Sequence, residues 1–291
     1  MGASLRMLAL FGGLILIFTA FGWILGSLFL GDWIIGSLIF LAIALAMNFI
    51  SYFWSDKIVL WSYGAKMVSQ AEYPRLYKAV SEVAMRADLP MPKIAVVPSR
   101  TPNAFATGRN KNNAVVAVTD GIMSLLTDEE LQGVLAHEMA HIKDRDMLVM
   151  TVAATIAGAV SFASRMVFFS SIGRGRGDNN GNAILLLIAA ITAPIAALLL
   201  RLAISRNREY KADREGSLMI QRPLSLARAL EKLEEANARR PMDRGNPSSS
   251  SLFIVNPFSG GSLVTLFMTH PPIKARVRNL RKLAEDTGYL G

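Results

Sequence analysis

No cysteine occurs among the 291 residues. That absence removes disulfides, thiolate metal ligands and a cysteine nucleophile from consideration, and it is compatible with a reducing compartment. Histidine is nearly as scarce, with three in the whole chain. Charge is missing from two long stretches, Met7 to Gly31 and Trp33 to Ser55, and only Asp32 separates them. Each is long enough to cross a hydrocarbon core of about 30 Å. The turn between them carries no positive charge, whereas Arg6 precedes the pair and Lys57, Lys66 and Arg75 follow it. The positive-inside rule therefore expects a hairpin over residues 1–55 with both ends in the cytoplasm. A second span straight after the first also excludes a cleaved secretory signal.

What is present fits a membrane protein with a soluble domain. Hydrophobic residues make up 52% of the chain and the mean hydropathy is +0.35, yet 18% of residues are charged. The 31 Lys and Arg exceed the 22 Asp and Glu by 9. They cluster beside apolar segments rather than in a basic stripe with interleaved aromatics, which favours a lipid bilayer as partner and excludes nucleic acid.

Residues 56–146 read as a first soluble part. Pro74 to Leu89 is amphipathic, with Leu76, Val80, Val83 and Ala87 on one side and Pro90 and Pro92 beyond its end. Lys93 to Pro98 and Ala114 to Val118 are short β-branched runs, expected as strands. Between them, Asn103, Ala104, Phe105, Ala106 and Thr107 read either as a plain strand or loop, or as an edge strand whose amides and carbonyls pair with an extended substrate peptide. Residues 147–200 hold a second apolar pair, 147–164 and 183–200, joined by the Gly-rich linker SSIGRGRGDNNGN. We read these as a second transmembrane hairpin, giving four spans; the alternative is a pair that lies shallow, tilted or partly packed on the soluble domain.

The chemistry concentrates in LQGVLAHEMAHIKDRD, Leu131 to Asp146, where His137, Glu138 and His141 form H-E-x-x-H. Thr127 and Glu130 make a capping box ahead of it, and Leu131, Val134 and Leu135 recur at helical spacing, so the motif sits on a helix. Residues four apart stack on one face, so His137 and His141 can share one tetrahedral metal ion. Glu138 beside them suits a general base that moves a proton from water to a leaving amine. A chance pairing on an ordinary half-buried helix is the competing reading. The metzincin pattern is excluded, because Asp144 and Met147 stand where Gly and His would be needed. Asp128, Glu129, Glu130, Lys143, Asp144, Arg145 and Asp146 flank the motif too closely for it to lie in lipid.

Residues 201–291 form a second soluble part. Glu209 and Asp213 lie four apart on an expected helix. Glu209 is a candidate third ligand, leaving the fourth position to water, and Asp213 is a candidate to hold an imidazole N–H behind the ligands. An ordinary solvated charged helix is the equal alternative, since Arg206, Arg208, Lys211, Arg214 and Glu215 crowd the same stretch. Pro223 to Arg240 is again amphipathic, and 241–262 reads as a flap or a disordered loop. His270, before two prolines, is either a turn residue or, with Arg276, a stabiliser of a developing oxyanion.

HEMAH at 137–141, SRNREYKAD at 205–213, NAFATG at 103–108 and THPPIKAR at 269–276, in that order, resemble the HtpX-type membrane zinc metalloproteases, relatives of the CAAX prenyl proteases. The resemblance implies a mainly α membrane protein with a small α+β gluzincin-like domain facing the cytoplasm from the cell's inner (plasma) membrane. It implies one zinc ion held by His137, His141 and Glu209, with Glu138 as base and Asp213 behind the ligands. It also implies His270 and Arg276 on the oxyanion side, Asn103 to Thr107 as the substrate edge, and cleavage of misfolded or damaged membrane polypeptides. The competing function is a membrane adaptor or transporter whose metal is structural or absent.

Overall fold

The computed structural model describes residues 2–173, 205–242, 247–258 and 270–289. The chain opens with α1 (Ala3–Leu25), a π-helical turn (Gly26–Leu30) and α2 (Trp33–Ser62). Asp32 caps α2 by accepting from the Ile34 amide at 2.8 Å. Both helices are long and apolar enough to cross a membrane. They approach closely at glycines: a Cβ on Gly22 would stand 2.4 Å from the Gly36 carbonyl oxygen, the small-residue contact by which membrane helices pack. α2 runs past the expected boundary at 55 to Ser62, and Val59, Leu60 and Tyr63 are buried in the soluble core.

Four strands follow, interleaved with helices: β1 (Lys66–Met67), α3 (Pro74–Ala87), β2 (Lys93–Val97), β3 (Ala104–Gly108), β4 (Ala114–Thr119) and α4 (Asp120–Leu125). The sheet order is β1-β2-β4-β3; β2 and β4 are parallel and both outer pairings antiparallel, so β3 is an edge, as one of the two sequence readings had it. Successive side chains of β3 point to opposite faces. Ala104 and Ala106 join a core with α3 and with α5 (Asp128–Lys143), whereas Phe105 joins one with α1, α2 and α6 (Asp146–Gly173). Phe105 stacks edge-on against Phe253 at 5.1 Å, so its side chain is a core element on the far face from the histidines rather than part of a substrate surface.

The capping box forms as expected at the start of α5: Thr127 Oγ1 accepts from the Glu130 amide at 3.3 Å, and Glu130 accepts from the Thr127 amide at 3.0 Å. The apolar start of α6 is buried in protein, with Val149, Val152, Ala153 and Ile156 under α1, α2 and a 3₁₀ turn (Pro247–Leu252). Its hydrophobicity is thus accounted for at least in part by packing on the domain, the alternative to a plain span. The expected span over 183–200 and the linker residues 174–182 lie outside the described residues.

After them come α7 (Arg206–Ile220), α8 (Pro223–Arg239) and α9 (Ile273–Thr287). Leu226, Leu230 and Leu233 of α8 are buried at the helical spacing expected of them. The expected flap is corrected in part: Ser250 to Val255 are buried, and the Ile254 amide donates to the Ala104 carbonyl at 3.2 Å, fixing this segment along β3.

Candidate metal centre

Two helices make the centre. α5 presents His137, Glu138 and His141, all buried. α7 presents Glu209, Asp213 and Gly216 at helical spacing toward α5, so that one stripe carries both acids and a notch. The notch sets the approach: a Cβ on Gly216 would lie 2.7 Å from the Ala136 carbonyl group and the His137 amide nitrogen. Thus the helix read equally well as a solvated charged surface is turned inward along one face. Its charges Arg208 and Lys211 are engaged elsewhere, on Asp144 and Asp146.

The donor atoms suit a small tetrahedral cation. His137 Nε2 and His141 Nε2 are 3.2 Å apart, close to the roughly 3.3 Å between two ligands of one ion at about 2.0–2.1 Å. Glu209 Oε1 is 3.5 Å from His141 Nε2 and is buried with no hydrogen-bond partner among the described residues. Ligand atoms of His137, His141 and Glu209 all fall within 4.8 Å of one another. A buried, unpaired carboxylate oxygen facing two imidazole nitrogens is costly unless a cation completes it, so these residues fit the implied metal.

Behind His137, Asp213 Oδ1 lies 2.9 Å from Nδ1. An Nδ1–H donated there leaves the Nε2 lone pair for the metal. Asp213 is in turn gripped by Arg276, Nε to Oδ2 at 2.8 Å and Nη2 to Oδ1 at 2.6 Å, while Nη1 donates to the Ile254 carbonyl at 2.8 Å. Arg276 is fully buried and stands on the Nδ1 side of His137, the side away from the ligand nitrogens. Oxyanion stabilisation was the role expected of Arg276; in the structure it donates to Asp213 and Ile254 and reaches His137 through Asp213.

His270 does reach the centre. Its Nδ1 is 2.7 Å from Glu209 Oε2 and its Nε2 3.2 Å from the Ser251 carbonyl oxygen. Glu138 is 3% exposed and lies beside the Ala106 amide on the β3 edge. Asn103 is committed otherwise: its side chain donates to the Val255 carbonyl at 2.6 Å. The edge is therefore beside the centre, but its Asn103 and Ala104 end is paired with the chain's own residues 254–255.

Burial and charge set the protonation of the metal-free site. Burial pushes the Glu138 carboxyl up to about 7, and burial holds His137 down at about 4. For His141, burial works downward but is outweighed by Asp146, Glu209 and Glu138, which bring it to about 9. Burial would raise Glu209 as well; His270, His141 and His137 outweigh it and hold the carboxyl well below the usual range. Asp213 likewise sits at about 2, since Arg276 and His137 overcome its burial.

Nothing in the sequence ties Gly216, Arg208, Asp146 or residues 250–255 to the metal centre. Gly216 continues the Glu209 and Asp213 stripe by three residues, and this spacing was the one local signal available. The sequence pattern of Peptidase family M48 matches residues 70–284. A protease HtpX homolog of Syntrophobacter fumaroxidans is 51% identical over 253 residues, 85% of this chain and 90% of that protein. One from Thermococcus sibiricus is 46% identical over 293 residues, 99% of this chain and 98% of that protein. A crystal structure of S. mikatae Ste24p is similar at 19% identity and a TM-score of 0.49, over 96% of this chain and 64% of that one. A match across most of the chain, carried by relatives close to half identical along nearly their whole length, settles the family: the chain belongs to peptidase family M48.

Proposed function

We propose that the protein is a membrane-bound, zinc-dependent endopeptidase that cleaves extended segments of polypeptides, misfolded or damaged membrane proteins among them, at the cytoplasmic face of the inner (plasma) membrane. The observation that carries this reading is the convergence of His137 Nε2, His141 Nε2 and an unpaired Glu209 Oε1 beside a buried Glu138. Three protein ligands leave one position open, which is the pattern of a catalytic rather than a structural site. A zinc ion bound there would supply Lewis-acid polarisation of the scissile carbonyl and of a water molecule.

The chain's own residues do the rest. Glu138, buried on α5 beside the two ligand histidines, is suited to take a proton from water and return it to the leaving amine. His270, hydrogen-bonded to Glu209 and the least enclosed of the three histidines, is the side chain placed to donate toward an oxyanion once it turns from Glu209. Arg276 and Asp213 keep His137 oriented, and β3 offers main-chain groups at Ala106 to a peptide lying along the edge. Lysines, arginines and interfacial aromatics around α1 and α2 suit a bilayer, with the two apolar runs after the motif as a second pair of spans.

The test uses two variants in detergent-solubilised protein. Glu138→Gln should keep one zinc per chain and lose cleavage of an unfolded membrane protein by about 10²- to 10⁴-fold, the usual scale for a general base. Glu209→Ala should lose zinc, while Glu215→Ala on the same helix should keep it. Near-normal cleavage by Glu138→Gln would remove that residue from the mechanism. Wild-type zinc content in Glu209→Ala would remove the third ligand.

A further inference from the structure

The two metal-site histidines are backed unequally on their Nδ1 sides. His137 has Asp213 on its Nδ1 side, held by the buried Arg276. His141 Nδ1 is also buried, yet it has no hydrogen-bond partner among the described residues. The carboxylate facing it is Asp146, the first residue of α6, with Oδ2 3.9 Å from Nδ1. That is too long for a hydrogen bond and within reach of one after a movement of about 1 Å. An imidazole that binds a metal through Nε2 keeps its proton on Nδ1 and needs an acceptor there.

Asp146 is itself gripped as Asp213 is. Arg6, from the second turn of α1, and Arg208, from α7, both pair with its carboxylate. Arg6 is 5% exposed and Asp146 1%. Arg208 precedes Glu209 in sequence, so the carboxylate behind one ligand is tied to the residue beside another. The two halves therefore match: ligand histidine, buried carboxylate, buried arginine. They differ in where the arginine comes from. Arg276 belongs to the soluble domain, whereas Arg6 is carried by a helix long and apolar enough to span a membrane.

We propose that Asp146 is the positioning residue for His141 and that Arg6 holds it in place, making the first membrane helix a working part of the metal centre. The inference rests on the His137, His141 and Glu209 metal reading. Asp146 touches no substrate; it acts through His141. A plain ion pair that merely clamps α1 to α6 would cost stability and leave metal binding alone, and this is the difference to measure.

Full-length protein in detergent is titrated with zinc against a chromogenic chelator, and its cobalt-substituted form is read by visible spectroscopy. Asp146→Ala and the near-isosteric Asp146→Asn should weaken zinc about 10- to 100-fold, the usual cost of losing a partner that orients a ligand, and should shift the cobalt ligand-field bands. Arg6→Ala should move zinc affinity and spectrum in the same direction, with Arg6→Lys restoring part of both. Arg281→Ala, which loses only a surface pair with Glu231, should change neither. If Asp146→Ala does not fold, the Asn and Arg6 variants carry the test. Wild-type zinc affinity and cobalt bands in Asp146→Asn and Arg6→Ala, even with lowered thermal stability, would overturn the inference while Glu209→Ala still reports a metal site. Absence of zinc from the wild-type protein would overturn both.

Discussion

Replacing Gly216 by alanine is the smallest change that should open the centre. An added Cβ would stand 2.7 Å from the Ala136 carbonyl carbon and oxygen and from the His137 amide nitrogen. Ordinary contact begins near 3.4 Å, so α7 must retreat from α5 by roughly 0.7 Å. All the atoms met are helix backbone, which cannot swing aside. Metal ligands tolerate displacements of only about 0.2 Å, and Glu209 and Asp213 move with α7. Overpacking alone costs about 1–3 kcal/mol, and each tenfold loss of zinc affinity removes about another 1.4 kcal/mol when zinc is in excess. Gly133→Ala on α5 supplies the comparison, since its Cβ would meet the Leu226 amide nitrogen at 2.8 Å, on the face turned to α8. Thermal unfolding with zinc and with chelator separates the two. Both variants should melt lower in chelator, but only Gly216→Ala should lose the increment that zinc adds to the wild type. A full zinc increment in Gly216→Ala would refute the claim that this close approach sets the ligand geometry.

Arg276→Ala should destabilise by about 3–5 kcal/mol, because the buried Asp213 carboxylate loses its countercharge, and zinc affinity should fall as His137 loses its support. Arg276→Lys keeps the charge without the fork and should fall between; loss of turnover with unchanged stability and zinc content would instead restore Arg276 to the oxyanion side. For pH, His141 in the metal-free protein titrates near 9, above its ordinary 6.5. Zinc must displace that proton, so affinity should drop by about tenfold per unit as pH falls from 8.5 to 7.5, with proton uptake or release read by calorimetry in buffers of different ionisation enthalpy. The same raised value means that His141 stabilises the metal-free fold below about 6.5 and that this contribution is lost as pH rises through about 9. A metal-free melting temperature that climbs over that interval would contradict the assignment.

Local physics made half of the centre readable. Thr127 and Glu130 announced the helix, and a spacing of four on it was enough to pair His137 with His141. Glu209 was ambiguous for a stated reason: its neighbours Arg208 and Lys211 look like a solvated face, and only the distant Asp144 and Asp146 reveal that they serve an ion network. Arg276 could be picked out but not oriented, since nothing short of the fold tells which side of His137 a residue so far along the chain will approach. Asp146 was read only as one of several charges excluding lipid. Its burial depends on Arg6, at the far end of the sequence, and no pattern within a window of residues carries that. The apolar run of α6 carries two readings for a similar reason, because a protein core and a bilayer select the same side chains.

The pairing of Ile254 with Ala104 has a consequence for any peptide that would use the β3 edge. A segment tethered a short chain away acts at an effective concentration on the order of millimolar. An incoming strand must compete with it at the Asn103 and Ala104 end, where the Val255 backbone is also held, while Ala106 further along lies beside Glu138. Short peptides would then engage weakly and only in part. Long unfolded chains, which can settle first on the remaining edge and displace the tether residue by residue, would be favoured without any pocket that reads their side chains.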